Sequence, residues 1–145
     1  MASVSTYLNF PGNTEEAFLF YRSVFGTEFL APGIRRMEDG PQPPGQPLSG
    51  QARRQVLHVA LPLIGGHELM GTDCVPDMGP PFVVGTNVSI LLRPDSRAET
   101  GRLFAGLSEG GRVEMPLQEM FWGDYFGTLV DCFGVQWMFN CDSKA

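Results

Sequence analysis

A chain of 145 residues with 43% apolar and 18% charged side chains has the balance of one globular domain with a hydrophobic core, not of a disordered segment. A net charge of −6 argues against a nucleic-acid partner, which needs clustered cations. Three cysteines (Cys74, Cys132, Cys141) without C-x-x-C spacing argue against a disulfide framework, and neither a secretory start nor an apolar run near the roughly 18 residues of a membrane helix is found, so the expectation is a cytoplasmic protein with no membrane partner.

In chain order, a first strand ends near Asn9 and Phe10, and the Pro11-Gly12 turn leads into a helix. Asn13 is expected to cap its first turn, with Glu16 three residues on as in a capping box. Apolar residues at 17, 18, 21, 24 and 25 form one stripe, and Gly26 suits the left-handed end. Three strands follow, at about 28–31, 55–63 and 67–71, the last two joined by a hairpin at Gly65-Gly66. The run 32–54 contains Pro32, Pro41, Pro43, Pro44 and Pro47 and reads as a long mobile loop. The basic pairs Arg35-Arg36 and Arg53-Arg54 read as solvated edges of that loop.

A linker at 74–85, rich in Pro and Gly, precedes a second series. A strand at 87–91 is followed by the Pro94 turn and a helix capped by Ser96, with Glu99 three residues on. Leu103, Phe104 and Leu107 give a weaker stripe, because Gly101 and Gly106 each cost about 1 kcal/mol against alanine. Gly110-Gly111 ends the helix, and strands at 112–115, 125–130 and 135–139 follow, the last two turned by residues 131–134.

The two series are copies. Pro11 matches Pro94 at an offset of 83, which also aligns Glu16 with Glu99, Tyr21 with Phe104 and Val24 with Leu107. Gly66 matches Gly134 at an offset of 68, so the first copy carries 15 extra residues, placed in 32–54. The reading is an α+β fold of two β-α-β-β-β modules forming curved mixed sheets: module one 1–73, linker 74–85 and module two 86–141 within a single domain 1–145.

Two such sheets are expected to form a trough, and ligands prefer concavities. Polar residues on its strands are the candidates: Asn9, His58 and Ser89, with His67 and Glu68 at a turn. His58 is the best titratable group, since a histidine ordinarily titrates near neutrality. The segment 115–127 alternates aromatic, acidic and glycine residues and reads as a plug or a binding wall. Met70, Met78, Met115, Met120 and Met138 supply soft apolar lining or core. The expected pocket is Tyr7, Asn9, His58, Ser89, Trp122, Asp124, Tyr125 and Trp137, with aromatics stacking on a small-molecule ligand and His58 and Asp124 orienting its polar groups. No catalytic residue is assigned. There is no H-E-x-x-H, C-x-x-C, G-x-S-x-G, phosphate loop or G-x-G-x-x-G.

Several motifs carry a resemblance: Tyr7-Leu8-Asn9-Phe10, Asn13-Thr14-Glu15-Glu16-Ala17-Phe18, His58-Val59-Ala60-Leu61, Leu69-Met70-Gly71-Thr72-Asp73, Phe121-Trp122-Gly123-Asp124 and residues 131–140. Together they resemble the PhnB-like branch of the vicinal oxygen chelate superfamily, which includes glyoxalase I, bleomycin-resistance proteins and extradiol dioxygenases. The resemblance covers nearly the whole chain outside 32–54. It implies the glyoxalase/bleomycin resistance-like fold, a homodimer, and a divalent-metal site in the metal-dependent members. Their ligand positions fall near Asn9, Met70, Ser89 and Met138, none of them His or Glu. The usual metal site is therefore expected to be lost, and no cofactor is expected. The rival is a metal-dependent lyase, isomerase or dioxygenase using His58 with Glu68, Glu119 or Asp124. The branch is also labelled after a demethylubiquinone methyltransferase, but no glycine-rich nucleotide loop is present to hold a methyl donor.

Overall fold

The structure, a computed structural model, describes residues 1–41, 45, 48–76 and 79–144. The loop reading at Pro43, Pro44 and Pro47 and the lining role of Met78 lie outside the described residues. The chain forms two compact units, Met1–Val83 and Val84–Ala145.

In the first unit, β1 (Thr6–Phe10), β2 (Arg35–Arg36), β3 (Val56–Pro62) and β4 (Glu68–Asp73) form a mixed sheet of order β1-β4-β3-β2. β1 runs parallel to β4, and the other pairs are antiparallel. Helix α1 (Thr14–Phe25) buries Ala17, Phe18, Tyr21, Val24 and Phe25, the predicted stripe, and Gly26 closes it in the left-handed conformation. Along β4 the buried Leu69, Gly71 and Asp73 alternate with the half-buried Glu68, Met70 and Thr72. Gly71 belongs to the helix-covered face: a Cβ there would meet the Phe18 ring and lie 3.1 Å from the Thr14 methyl.

In the second unit, β5 (Ile90–Leu92), β6 (Arg112–Glu119), β7 (Tyr125–Val130) and β8 (Gln136–Cys141) take the order β5-β8-β7-β6 with the same pattern of directions. Helix α3 (Arg97–Ser108) buries Leu103, Phe104 and Leu107, and Ser96 caps it by accepting from Glu99 N at 3.1 Å. Along β8 the buried Trp137, Phe139 and Cys141 alternate with Gln136, Met138 and Asn140. Helices α1 and α3 begin 83 residues apart, and β4 and β8 begin 68 apart, as the repeat predicts. These are two four-stranded mixed sheets in an α+β fold.

Four local expectations are corrected. Residues 28–31 form no strand, because Pro32 has no amide proton and Gly33 (φ 86°) turns the chain back, donating from its N–H to Leu30 O at 2.8 Å. The strand in that place is Arg35–Arg36. The described part of 32–54 is not all loop: it carries β2, a 3₁₀ turn at Met37–Asp39 and α2 (Gly50–Arg54), with Ser49 accepting from Ala52 N at 3.2 Å. Arg36, expected as a solvated edge, is bidentate to Glu15 at 2.9 and 3.0 Å. Asn13 does not cap α1 through its side chain. The Asp73 carboxylate takes that role, accepting from Thr14 N at 3.0 Å and Thr14 Oγ1 at 2.6 Å, while buried Asn13 Oδ1 has no partner among the described residues.

Asp73 also accepts from Val56 N at 2.7 Å, so one buried carboxylate joins the ends of β4, α1 and β3. Asp73→Ala would leave two buried backbone donors unpaired. The expected cost is about 3 kcal/mol or more in urea unfolding, with Asp73→Asn losing less because one oxygen acceptor remains. In the same assay Gly71→Ala is expected to destabilise by about 1–3 kcal/mol, since the Phe18 ring must move. Gly101→Ala, with nothing within 4 Å of the added carbon, is expected to stabilise by about 0.5–1 kcal/mol.

Candidate functional site

The face of the first sheet turned away from α1 collects polar groups. The β1–β4 register sets Tyr7 beside Met70 and Asn9 beside Thr72, and the β3–β4 register sets Ala60 beside Met70. His58 lies two residues from Ala60 and so projects to the same side. Tyr7 is 47% exposed, Asn9 is exposed, and His58, Met70 and Thr72 are half-buried. This is a small accessible surface on rigid strands, with a phenol, an imidazole, an amide, a hydroxyl and a thioether.

Its centre is the Tyr7 Oη to His58 Nδ1 hydrogen bond of 3.2 Å, with ring centroids 5.8 Å apart. Burial pushes the Tyr7 phenol above its ordinary pKa, partly offset by a hydrogen bond with the Thr72 side chain. Thr72 Oγ1 also donates to Val56 O at 3.2 Å. His58 Nε2 has no hydrogen-bond partner among the described residues.

In the second unit Asp124 accepts from Asn140 Nδ2 and Ser143 N, each at 3.1 Å. These bonds, led by Asn140 and joined by one from the Trp122 side chain and by the charge of Arg93, hold its carboxyl below the ordinary range. Asp124 and Asn140 line an open cleft of about 500 Å³ with Arg93, Asp95 and Asp142. Trp122 meets Phe121 edge-on at 4.8 Å and Phe126 at 6.5 Å. A polar cleft of about 830 Å³ in the first unit is lined by Asn13, Glu15, Arg36, Arg54 and Asp73, but its Arg36 and Glu15 already neutralise each other.

Of the eight expected pocket residues, the structure brings Tyr7, Asn9 and His58 together on one face, and places Trp122 and Asp124 together in the other unit. Three take other positions. Ser89 is exposed and precedes β5, which pairs with β8 only from Ile90 to Leu92, so it is not a strand residue. Trp137 faces the helix side: it is 1% exposed and its indole N–H donates to Asp131 Oδ2 at 2.8 Å, which makes it core. Tyr125 pairs with Cys141 on that same helix side, and the Arg97 guanidinium lies 4.8 Å over its ring. Thr72 and Asn140 were not assigned by sequence reasoning. The signal was period-two alternation along β4 and β8, which puts them on the faces of Met70 and Met138.

The resemblance read from the sequence implies divalent-ion positions near Asn9, Met70, Ser89 and Met138, which are an amide, two thioethers and a hydroxyl. Among the described residues no three His, Cys, Asp or Glu side chains gather as a metal-binding group. Thioethers do not suit a hard divalent cation, and one amide with one hydroxyl brings no negative charge to hold it, so these four positions do not fit the ion.

The family model for 3-demethylubiquinone-9 3-methyltransferase matches residues 2–139. Protein YjdN of Escherichia coli is 30% identical over 140 residues, covering 94% of this chain and 93% of that protein. The crystal structure of protein PA1353 from Pseudomonas aeruginosa is 37% identical with TM-score 0.82, covering 98% of each chain. The PhnB protein of Bacillus cereus is 27% identical with TM-score 0.73, covering 97% of this chain and all of that one (100%). A glyoxylase/bleomycin resistance protein/dioxygenase domain from Frankia shares the fold at 12% identity and TM-score 0.62, covering 97% of this chain and 92% of that one. With a family model spanning nearly its whole length, this chain belongs to the PhnB-like 3-demethylubiquinone-9 3-methyltransferase family, and its fold is that of glyoxalase/bleomycin resistance-like domains.

Proposed function

We propose that this protein binds a small organic molecule on the open face of its first sheet, around Tyr7, Asn9 and His58, without the metal site of the superfamily's metal-dependent members. The observation that carries the reading is the Tyr7–His58 hydrogen bond on an accessible strand face, which leaves His58 Nε2 without a partner among the described residues. The half-buried Met70 beside Tyr7 supplies apolar contact for the body of a ligand. The same proposal includes a homodimer, as the resemblance implies, and a cytoplasmic location. It does not include methyl transfer, because the chain has no glycine-rich nucleotide loop of the G-x-G-x-x-G type to hold a methyl donor.

A thermal-shift screen with small aromatic and antibiotic-like compounds tests the reading. A ligand at a hundredfold excess over its Kd is expected to stabilise the native state by about 2.7 kcal/mol, and His58→Ala is expected to remove most of that shift. A screen in which nothing shifts the wild-type protein, or in which shifts persist undiminished in His58→Ala, counts against the site. Elemental analysis of the purified protein is expected to find no stoichiometric divalent metal. A stoichiometric metal lost in His58→Ala would instead support a metal-dependent lyase, isomerase or dioxygenase.

A further inference from the structure

β2 is two residues long and changes register between them: Arg35 pairs with His58 and Arg36 with Val56. Arg36 reaches Glu15 on α1 with both guanidinium nitrogens. Arg35 is the direct antiparallel partner of His58, so its Cα lies about 5 Å from that of His58 and the two side chains share one side of the sheet. Arg35 is exposed, and its side chain makes no hydrogen bond or ion pair with any described residue. Arg36, Arg53, Arg97, Arg102 and Arg112 each face a carboxylate, whereas Arg35, like Arg22, Arg54 and Arg93, makes no such ion pair among the described residues. In a chain of net charge −6, Arg35 thus places beside His58 a cation with no carboxylate partner among the described residues.

We infer that Arg35 sets the specificity of this site for organic anions: the ligand presents a carboxylate or a similar planar oxyanion to the Arg35 guanidinium, and a hydrogen-bonding polar group to His58 Nε2. The guanidinium fork matches a carboxylate with two parallel N–H···O bonds, and His58 Nε2 can bond a polar group at the other end. Neither Arg35 nor His58 Nε2 has a partner among the described residues to displace. The inference rests on the binding site proposed above and adds the charge and polarity of what fills it.

The test is an NMR titration of the full chain, reading the His58 ring signals, with carboxylates from propionate to naphthoate, each paired with its primary amide. The carboxylates that move the His58 signals are expected to bind about tenfold more tightly than their amides, because the charge-assisted bond replaces a neutral one. Arg35→Gln is expected to erase that ratio, bringing carboxylate affinities down to those of the amides. If carboxylate and amide bind His58 equally in the wild type, or if Arg35→Gln leaves the ratio intact, Arg35 has no such role and the binding site stands without it. If no probe moves the His58 signals at millimolar concentration, the site itself fails and this inference fails with it.

Discussion

A single buried carboxylate organises the first unit. Asp73 is 5% exposed and accepts from Thr14 N, Thr14 Oγ1 and Val56 N. Removing a charge from water is costly unless its lone pairs are filled, and three short bonds fill them here. The result fixes where α1 starts, where β3 starts and how both meet the end of β4. The candidate site inherits this order, because its members are neighbours of the anchored residues: Thr72 precedes Asp73, His58 lies two residues beyond Val56, and Thr72 Oγ1 donates to Val56 O on the other side of the same residue. The open face is held in place by polar bonds at its rim, which lets its surface remain exposed and chemically varied.

The second unit repeats the geometry with different chemistry. At the offset of 68, Asp73 corresponds to Cys141, Val56 to Asp124 and Thr72 to Asn140. The contact of Thr72 with the Val56 carbonyl becomes one of Asn140 with the Asp124 carboxylate. The anchoring carboxylate of the first copy is replaced by a buried thiol, and α3 is capped locally by Ser96 instead. A second buried carboxylate, Asp131, organises the β7–β8 turn, accepting from Phe133 N, Val135 N and Trp137 Nε1. The copies agree in backbone and in apolar pattern while their polar staples have moved.

That contrast explains what was legible in the sequence. Apolar stripes and glycine turns report local rules, so α1, α3, β7 and both hairpins stand where periodicity places them. Long-range polar choices leave no local trace. Nothing near Asn13 says that its capping role passes to a carboxylate 60 residues away in the chain, and nothing near Arg35-Arg36 says that one arginine grips a helix while the other faces a histidine. The same holds for the site. Tyr7, Asn9 and His58, on strands with clear alternation, share one face of the sheet, whereas Trp137 obeys the alternation of β8 and goes to the core.

The outer strands of the two sheets have a further consequence. β2 and β6 end their sheets, and both are poor templates. β2 offers only two residues and a register shift, and β6, though eight residues long, carries Pro116 and irregular pairing on either side of Met115. A proline has no amide proton to give, and a bulged ladder cannot be copied in register by an incoming chain. The protein therefore exposes apolar and aromatic groups without also exposing, on these two sides, the continuous row of backbone donors and acceptors from which fibrils grow.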